Sequence, residues 1–464
     1  MALNALDRHL VLVGFMGAGK TTVGREVAQR LGRPFVDVDQ EIENAHGPIA
    51  DLFARDGEPV FRSIEADALR DICGRREASV IAVGGGAVET PGLVGDLDAF
   101  VVWLEVDVGT AWQRVRGSDR PLARDDAEFN RRYELRQALY REVADAVETD
   151  ADGVVLSAAG VHYEPGSLDR LGELVPGDGP AVLVADAIVM GIYGPRAQAT
   201  LGARLGATHE LPPGEIAKQA PVVQRLWDEL RLDRSGTIVA LGGGCTTDVG
   251  GFVAATYLRG VPWVAVPTTL VGQVDAAIGG KTAIDIAGGK NLIGAFHWPV
   301  RVVIDETLLE TLPERERRQG LAELVKTRLL AGRDLDVRGA AAYKSAVCLR
   351  DPYDRGDRRW LNLGHTFAHA LEAAADFELP HGDAVALGLL AALRLSGRDT
   401  SRVEHELAPQ PVRVDAERAW QALLRDKKRD GDAINLVLLA EDGPVVEERP
   451  APEVRRELER LVAG

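Results

Sequence analysis

Three times along this chain an apolar run ends directly in a glycine-rich turn: residues 10–13 before Gly14, residues 80–83 before Gly84-Gly85-Gly86, and residues 237–241 before Gly242-Gly243-Gly244. Glycine at the end of a strand lets the backbone turn sharply and lets a ligand approach the main chain. Open α/β sheets bind ligands just outside the carboxyl ends of their strands. The apolar runs at 10–13, 35–38, 80–83 and 100–104 alternate with helical patterns at 21–31 and 58–72, and a second series lies at 181–184, 237–241, 264–266 and 302–304. This alternation predicts two parallel sheets covered by helices. Beyond about residue 312, Ala/Leu/Glu/Arg-rich helical patterns dominate, down to a late strand at 433–439. Pro and Gly punctuation between 150 and 180 marks the seam. The expectation is therefore an α/β protein with a first domain over 1–152, a second α/β nucleotide-binding domain over 153–311 and a mainly helical domain over 312–464, which 464 residues readily supply.

Composition limits what such a chain binds. The 54 Lys and Arg residues face 71 Asp and Glu, a net charge of -17, which repels nucleic acid and anionic lipid unless a local basic patch intervenes. The basic residues near 312–333 and 425–429 are interleaved with acids, so neither partner is expected. Three scattered cysteines exclude a disulfide framework and a Cys-rich zinc site. No apolar run approaches the roughly 18 residues that span a bilayer, and no signal-peptide pattern precedes the first strand. A cytoplasmic enzyme acting on small molecules is expected.

Gly14-Phe15-Met16-Gly17-Ala18-Gly19-Lys20-Thr21 lies between an apolar strand and a helix. In that setting the backbone N–H groups of Gly17, Ala18 and Gly19 surround phosphate oxygens, Lys20 meets the outer phosphates, and the Thr21 hydroxyl, beside Thr22, faces magnesium. Asp37 and Asp39 end the next strand, near the same sheet edge; one assists magnesium while the other takes a hydrogen bond from an acceptor hydroxyl. Phe61-Arg62-x-x-Glu65, Gly84-Gly85-Gly86, Arg120-Pro121-Leu122 and Arg136-x-x-Leu139-Tyr140 follow. Taken in this order, the set resembles shikimate kinase across about residues 8–150. That resemblance implies that Asp39, Arg62, Gly85 and Arg136 hold shikimate, that Asp39 orients or deprotonates the attacking hydroxyl, that Asp37 supports Mg2+, and that Arg114 and Arg120 contact ATP, Arg120 from a mobile lid. The further helix that ends the family's domain is not expected, since residues 147–150 run almost at once into the second half.

In the second half, Gly242-Gly243-Gly244 with Asp248, then Thr268 and Thr269, then Asp275, Lys281, Asp285, Lys290 and Asn291 crowd glycine-rich segments. Lysines beside glycines suit an anionic substrate pressed against the backbone. Of only nine histidines, His365, His369 and His381 fall close together, the first two spaced to share a helix face. Glu323 offers the carboxylate for a two-histidine, one-glutamate site with an open position, the arrangement of catalytic zinc. These segments resemble 3-dehydroquinate synthase over about residues 154–464. The resemblance assigns Glu323, His365 and His381 to Zn2+ or Co2+ and implies NAD+ bound by Asp186, Glu215, Lys218, Gly243, Gly244, Asp248, Thr268, Thr269, Asp275, Lys281 and Lys290. It implies substrate contacts from Asp275, Lys281, Lys290, Asn291, Lys326, Lys344, Arg358, Asn362, His369 and Lys427, with Lys326, His369, Lys290 and Asn362 catalytic. Ile188 stands where Asn is usual, and the stretches between Lys326 and Lys344 and between His381 and Lys427 are shorter than usual. The implied whole is a fused enzyme that phosphorylates shikimate with ATP and Mg2+ and converts 3-deoxy-D-arabino-heptulosonate 7-phosphate to 3-dehydroquinate, dimerising through its second half. A different sugar-phosphate cyclase, or a catalytically dead scaffold, is the alternative partner for the kinase.

Overall fold

The computed structural model describes residues 4–116, 125–287, 289–426 and 433–463, and the chain divides into two compact units, Met1–Gly160 and Val161–Gly464. No helix among the described residues is long and apolar enough to cross a membrane.

The first unit is built on five strands, β1 (His9–Val13), β2 (Phe35–Asp37), β3 (Val80–Ala82), β4 (Ala99–Leu104) and β5 (Ala146–Glu148). They pair in parallel in the order β2-β3-β1-β4-β5. Helices α1 (Lys20–Leu31), α2 (Val38–His46), α3 (Ile49–Asp56), α4 (Glu58–Cys73), α5 (Val108–Val115), α6 (Asp126–Val143) and α7 (Ala151–Ala158) connect and cover them. Alternate residues of the central strands, Val11, Val13, Val101 and Trp103, pack with Phe15, Phe129 and Tyr140 in one buried cluster. That side of the sheet fixes the turn after β1, where the phosphate-binding pattern lies.

The expected boundary at 152/153 falls inside α7. Asp150 caps this helix by accepting from the Gly153 N–H at 2.8 Å, Asp152 pairs with Arg30 of α1 at 2.7 Å, and the Ala158 carbonyl accepts from Ala5 N–H at 2.7 Å. The closing helix that the sequence reading omitted is thus present. Its Asp-x-x-Gly start reads as a turn, but it is an N-cap.

The second unit carries a six-stranded parallel sheet in the order β6-β13-β10-β9-β7-β8. Its strands are β6 (Val161–Tyr163), β7 (Ala181–Asp186), β8 (Leu205–Leu211), β9 (Thr237–Gly242), β10 (Trp263–Pro267) and β13 (Arg301–Ile304), with an antiparallel hairpin of β11 (Lys281–Ile286) and β12 (Gly289–Phe296) between the last two. Helices α8 (Leu171–Leu174), α9 (Ala187–Leu201), α10 (Ala220–Glu229) and α11 (Gly244–Thr256) belong to this region. A largely helical region follows: α12 (Glu314–Ala331), α13 (Val337–Arg350), α14 (His365–Ala374), α15 (His381–Leu395), α16 (Ser401–Leu407), α17 (Ala416–Asp426), the hairpin β14 (Ala433–Ala440) and β15 (Gly443–Pro450), and α18 (Ala451–Arg460).

Helices α14 and α15 touch backbone to backbone. A Cβ at Gly388 would fall 2.1 Å from the Gly364 carbonyl oxygen, and one at Gly364 would fall 2.8 Å from Leu389 N. Gly364, at φ 79°, is the N-cap of α14 and precedes His365; α15 begins at His381. We expect Gly388→Ala to destabilise the protein by about 1–3 kcal/mol through overpacking and to weaken metal binding, read by thermal unfolding with and without Zn2+. A melting temperature equal to that of the unsubstituted chain would contradict this packing argument.

Candidate active sites

In the first unit, Gly19 forms the N-cap of α1 at φ 90°, a conformation that side-chain-bearing residues rarely adopt. At Gly17, φ 84°, a Cβ would meet the Ala111 carbonyl oxygen at 2.7 Å, so the loop is held against α5 with no room for a side chain. The first N–H groups of α1 therefore point outward at a positive helix end. Lys20 Nζ donates to the Gly14 and Phe15 carbonyls at 2.7 and 3.3 Å. The Thr21 hydroxyl donates to Asp37 Oδ2 at 2.8 Å, which brings the two expected magnesium residues together. A cavity of about 530 Å3 is lined by Gly17, Gly19, Lys20, Thr21, Thr22, Asp37, Asp39, Gly85 and Arg114. Ala18 is buried within the loop. Arg114 donates to the Gly17 carbonyl at 2.9 Å. Arg120 lies outside the described residues.

Arg62 and Arg136 do not line this cavity. Arg136 is 1% exposed and grips Glu89 through two bonds, Nε to Oε1 and Nη2 to Oε2, both 3.0 Å. Arg62 pairs with Glu65 at 2.7 Å and Glu58 at 3.0 Å, and lies 3.6 Å from Glu89. Burial raises the Glu65 carboxyl above its usual range against the pull of Arg62. A Cβ at Gly84 would fall 2.4 Å from Glu65 Oε1 and 3.0 Å from Asp39 Oδ1, and one at Gly86 would collide with Arg62. The Tyr140 hydroxyl donates to the Gly85 carbonyl at 2.5 Å. The glycine turn after β3 is therefore wedged among the acceptor-site candidates. Glu89, on the short turn Ala87–Glu89 after these glycines, has no signature in spacing or motif that sequence reading could use.

In the second unit, a cavity of about 970 Å3 opens at the carboxyl ends of β7, β9 and β10. It is lined by Asp186, Glu215, Lys218, Gly243, Gly244, Asp248, Thr268, Thr269, Asp275, Lys281, Asn291, Lys326, Lys344, Arg358, Asn362, His365, His369 and His381. Ile188 lines it too, 61% exposed. Gly243 and Gly244 present the N-terminus of α11, and a Cβ at Gly243 would crowd the Thr269 methyl at 3.0 Å. A tightly packed glycine turn at a helix N-terminus fits the pyrophosphate of a dinucleotide. Asp186 caps α9 by accepting from Ile188 and Val189 N–H at 3.1 Å. Lys218 Nζ donates to Asp248 Oδ2 at 2.6 Å and also contacts Asn291 Oδ1. Burial opposes the charge on Lys218, but Asp248 outweighs it and holds the ammonium above its usual range.

The metal candidates converge from three helices. Glu323 Oε1 on α12 is 3.3 Å from His365 Nε2 on α14 and 3.2 Å from His381 Nε2 on α15, and the ligand atoms of all three lie within 4.8 Å of one another. His365 Nδ1 faces the Leu363 carbonyl at 3.2 Å, and His381 Nδ1 faces Glu372 Oε1 at 3.0 Å. Both partners only accept, so each Nδ1 carries the proton and each Nε2 turns its lone pair inward. Two lone pairs and a carboxylate oxygen aimed at one point call for a cation. Burial works against charge on His381, but the hydrogen bonds to Glu323 and Glu372 prevail and push it up to about 10. The donor set fits Zn2+ or Co2+ with an open position toward the cavity.

Behind the triad, Lys326 Nζ lies against Glu323 Oε2 without hydrogen-bond alignment, and 3.9 Å from Asp275 Oδ1. Lys344 Nζ donates to Asp275 Oδ1 at 2.5 Å and to its carbonyl at 2.6 Å. Asp275 sits on a single π-turn, Gly272–Ala276, and is held below the usual carboxylate range because the two lysines outweigh its burial. Arg358 Nη2 donates to the Gly279 carbonyl at 2.8 Å, and Lys281 donates to Asp354 at 2.5 Å. His365 and His369 share a face of α14, rings 5.5 Å apart. Lys290 is not part of the cavity lining; it pairs with Glu215 at 3.2 Å and lies 4.9 Å over the Phe377 ring. Lys427 lies outside the described residues. Asp354, Phe377 and Glu372 escaped the sequence reading. Only Glu372 had a signal, falling three residues after His369 and seven after His365 on one helix face.

A glycine loop at a helix N-terminus lining a cavity in one unit, and a cavity above three convergent candidate metal ligands in the other, define a two-site α/β enzyme. Residues 16–159 match the family described as shikimate kinase, residues 208–319 the N-terminal domain of 3-dehydroquinate synthase, and residues 302–429 its C-terminal domain. The bifunctional shikimate kinase/3-dehydroquinate synthase of Thermotoga maritima is 33% identical over 484 residues, covering 94% of this chain and 97% of that protein. The 3-dehydroquinate synthase of Bordetella pertussis is 41% identical over 344 residues, 65% of this chain and 95% of that protein. Among solved structures, 2-epi-5-epi-valiolone synthase from Streptomyces hygroscopicus with NAD+ and Zn2+ bound matches 65% of this chain and 96% of that chain, with TM-score 0.53 and 27% identity. The chain belongs to the bifunctional shikimate kinase/3-dehydroquinate synthase family.

Proposed function

We propose that the two cavities catalyse the family's two reactions with the following division of labour. In the first unit, the Gly17–Gly19 N–H groups and Lys20 hold the ATP phosphates, and Thr21 and Asp37 hold Mg2+, which offsets phosphate charge. Asp39 accepts the proton of the shikimate 3-hydroxyl as that oxygen attacks the γ-phosphorus. Arg62 and Arg136 take the shikimate carboxylate as forked donors, and the Gly85 backbone seats the ring. Arg114 flanks the nucleotide, and Arg120 supports the transferring phosphoryl group.

In the second unit, Gly243, Gly244, Thr268 and Thr269 cradle the NAD+ pyrophosphate, with Asp186, Glu215, Lys218 and Asp248 on its adenosine side. Bound NAD+ supplies a hydride acceptor and donor within one turnover, so no net redox results. Zn2+ or Co2+ on Glu323, His365 and His381 supplies Lewis acidity toward the reacting oxygen. Lys281, Asn291, Arg358 and Lys427 bind the phosphate and carboxylate of 3-deoxy-D-arabino-heptulosonate 7-phosphate. Lys326, Asn362 and His369 orient its hydroxyls and move protons beside the triad; Asp275 fixes Lys326 and Lys344 in place. Lys290, on the β12 strand outside the cavity lining, contacts the substrate once it leaves its pair with Glu215. A further division of the second unit at 311/312, a homodimer through that unit and a cytoplasmic location complete this reading.

The observation that carries it is the convergence of His365 Nε2, His381 Nε2 and Glu323 Oε1 on one point beneath the cavity that the Gly243 turn opens. The test is a two-substrate assay of the intact chain with 1,10-phenanthroline in Mg2+-containing buffer. Phosphate release from the seven-carbon acid phosphate should fall about a hundredfold or more and return with Zn2+ or Co2+, while shikimate phosphorylation continues. Turnover of sedoheptulose 7-phosphate in place of the acid would instead mark a different cyclase. Absence of both turnover and stoichiometric metal would mark a scaffold.

A further inference from the structure

The carboxylate grip of the first unit is already filled by the chain itself. Glu89 takes the Nε/Nη2 edge of Arg136 in a two-bond fork at 3.0 Å each and lies 3.6 Å from Arg62. A fork of this kind is the geometry with which a guanidinium recognises a free carboxylate. We propose that Glu89 occupies the place of the acceptor's carboxylate and competes with it, so that Glu89 is an affinity- and specificity-determining residue of shikimate phosphorylation. This rests on the reading that Arg62 and Arg136 hold that carboxylate.

Charge balance supports competition rather than cooperation. The two guanidinium groups face three carboxylates, Glu58, Glu65 and Glu89. Among the described residues, the two guanidinium groups leave no unmatched cation for a fourth carboxylate, even with Glu65 discounted. Arg132 also acts on Glu89, but it is engaged by Glu128 at 2.7 Å. An incoming carboxylate therefore enters only as Glu89 leaves. Glu89 is free to do so: its side chain is 39% exposed, and the three-residue turn that carries it is followed by Gly92 at φ 72°. A rotamer change at such a position is fast beside turnover. Arg136, buried and stacked 5.7 Å from the Phe15 ring, stays in place. The consequence for specificity is that an acceptor lacking the carboxylate leaves the Glu89 pair intact and loses less than it would at an empty grip.

The test uses the full chain, with shikimate and its carbinol analogue, in which –CH2OH replaces the carboxylate. Glu89→Gln keeps the shape and removes the charge. Its KM for shikimate should fall about fivefold, the factor a half-exposed ion pair supplies, with the KM for ATP unmoved and the preference for shikimate over the carbinol raised by the same factor. Glu89→Ala should shift both in the same direction. An unchanged or higher shikimate KM in both variants overturns the proposal. Arg136→Lys, which keeps the charge but loses the fork, separates two kinds of failure. If it raises the shikimate KM while the Glu89 variants do not lower it, only the competition is wrong. If it too leaves KM unmoved, the carboxylate site itself is misassigned.

Discussion

Replacing His381 with alanine should abolish cyclisation and leave shikimate phosphorylation running. The effect is large because His381 does two things at once. Its Nε2 completes the donor set with Glu323 and His365, and its Nδ1 is locked by Glu372. Without it, Glu323 and His365 are two ligands where a catalytic site needs three. Losing about 4 kcal/mol of charge stabilisation in the transition state slows the reaction about a thousandfold. The checks are phosphate release from the seven-carbon acid phosphate, metal content of the purified variant, and shikimate-dependent ADP formation on the same sample. Loss of both activities would contradict separate sites, and retention of cyclisation with full metal content would remove His381 from the ligand set.

Lys20→Ala should do the reverse. The Lys20 ammonium rests on the Gly14 and Phe15 carbonyls and lines the cavity of the first unit. It is the cation of the loop itself, and in a partly dry site a positioned cation is worth about 3–4 kcal/mol toward the transferring phosphoryl group. We expect kcat/KM for ATP to fall by about a hundredfold to a thousandfold, with 3-dehydroquinate formation unaltered. A kinase activity within a few fold of the unsubstituted chain would show that Lys20 does not reach the phosphates.

Much of this architecture was legible because β1, β3, β9 and β10 are apolar on both faces, as strands buried on both sides of a parallel sheet must be. In the turn after β1, Gly14, Gly17 and Gly19 have positive φ, and at the carboxyl ends of β3 and β9 a Cβ at Gly84 or Gly242 would fall 2.4 or 2.5 Å from a neighbouring side-chain oxygen, so glycine there has a reason a sequence can display. Strand β8 was missed. It is the edge strand of its sheet, its residues alternate between half-buried and exposed, and its sequence, with His209 and Glu210, carries no apolar run. The β11–β12 hairpin was missed for the opposite reason: its glycines and lysines mimic a loop, and pairing in register from Lys281–Phe296 to Ile284–Ile293 is a tertiary fact. Scarce histidines point to the candidate metal cluster, but the one helical spacing available, His365 to His369, picks a residue outside it, and the set of Glu323, His365 and His381 came from the family resemblance. Glu89 had no such pointer, because its partner Arg136 is distant in sequence and nothing local distinguishes it from a surface acid.

The direct contact of Gly364 with Gly388 explains how a chain this lean can keep its second reaction. Only residues 332–336 join α12 to α13, yet Lys326 and Lys344 still meet at Asp275. The relative setting of α14 and α15 is likewise fixed where their backbones meet, not by the segments that lead away from them. Peripheral connections can then be cut back without moving a ligand atom, and each shortening lowers slightly the entropy lost on closing the chain. Length in this fold is an adjustable quantity at the rim and a fixed one only where two glycines leave no space between helices.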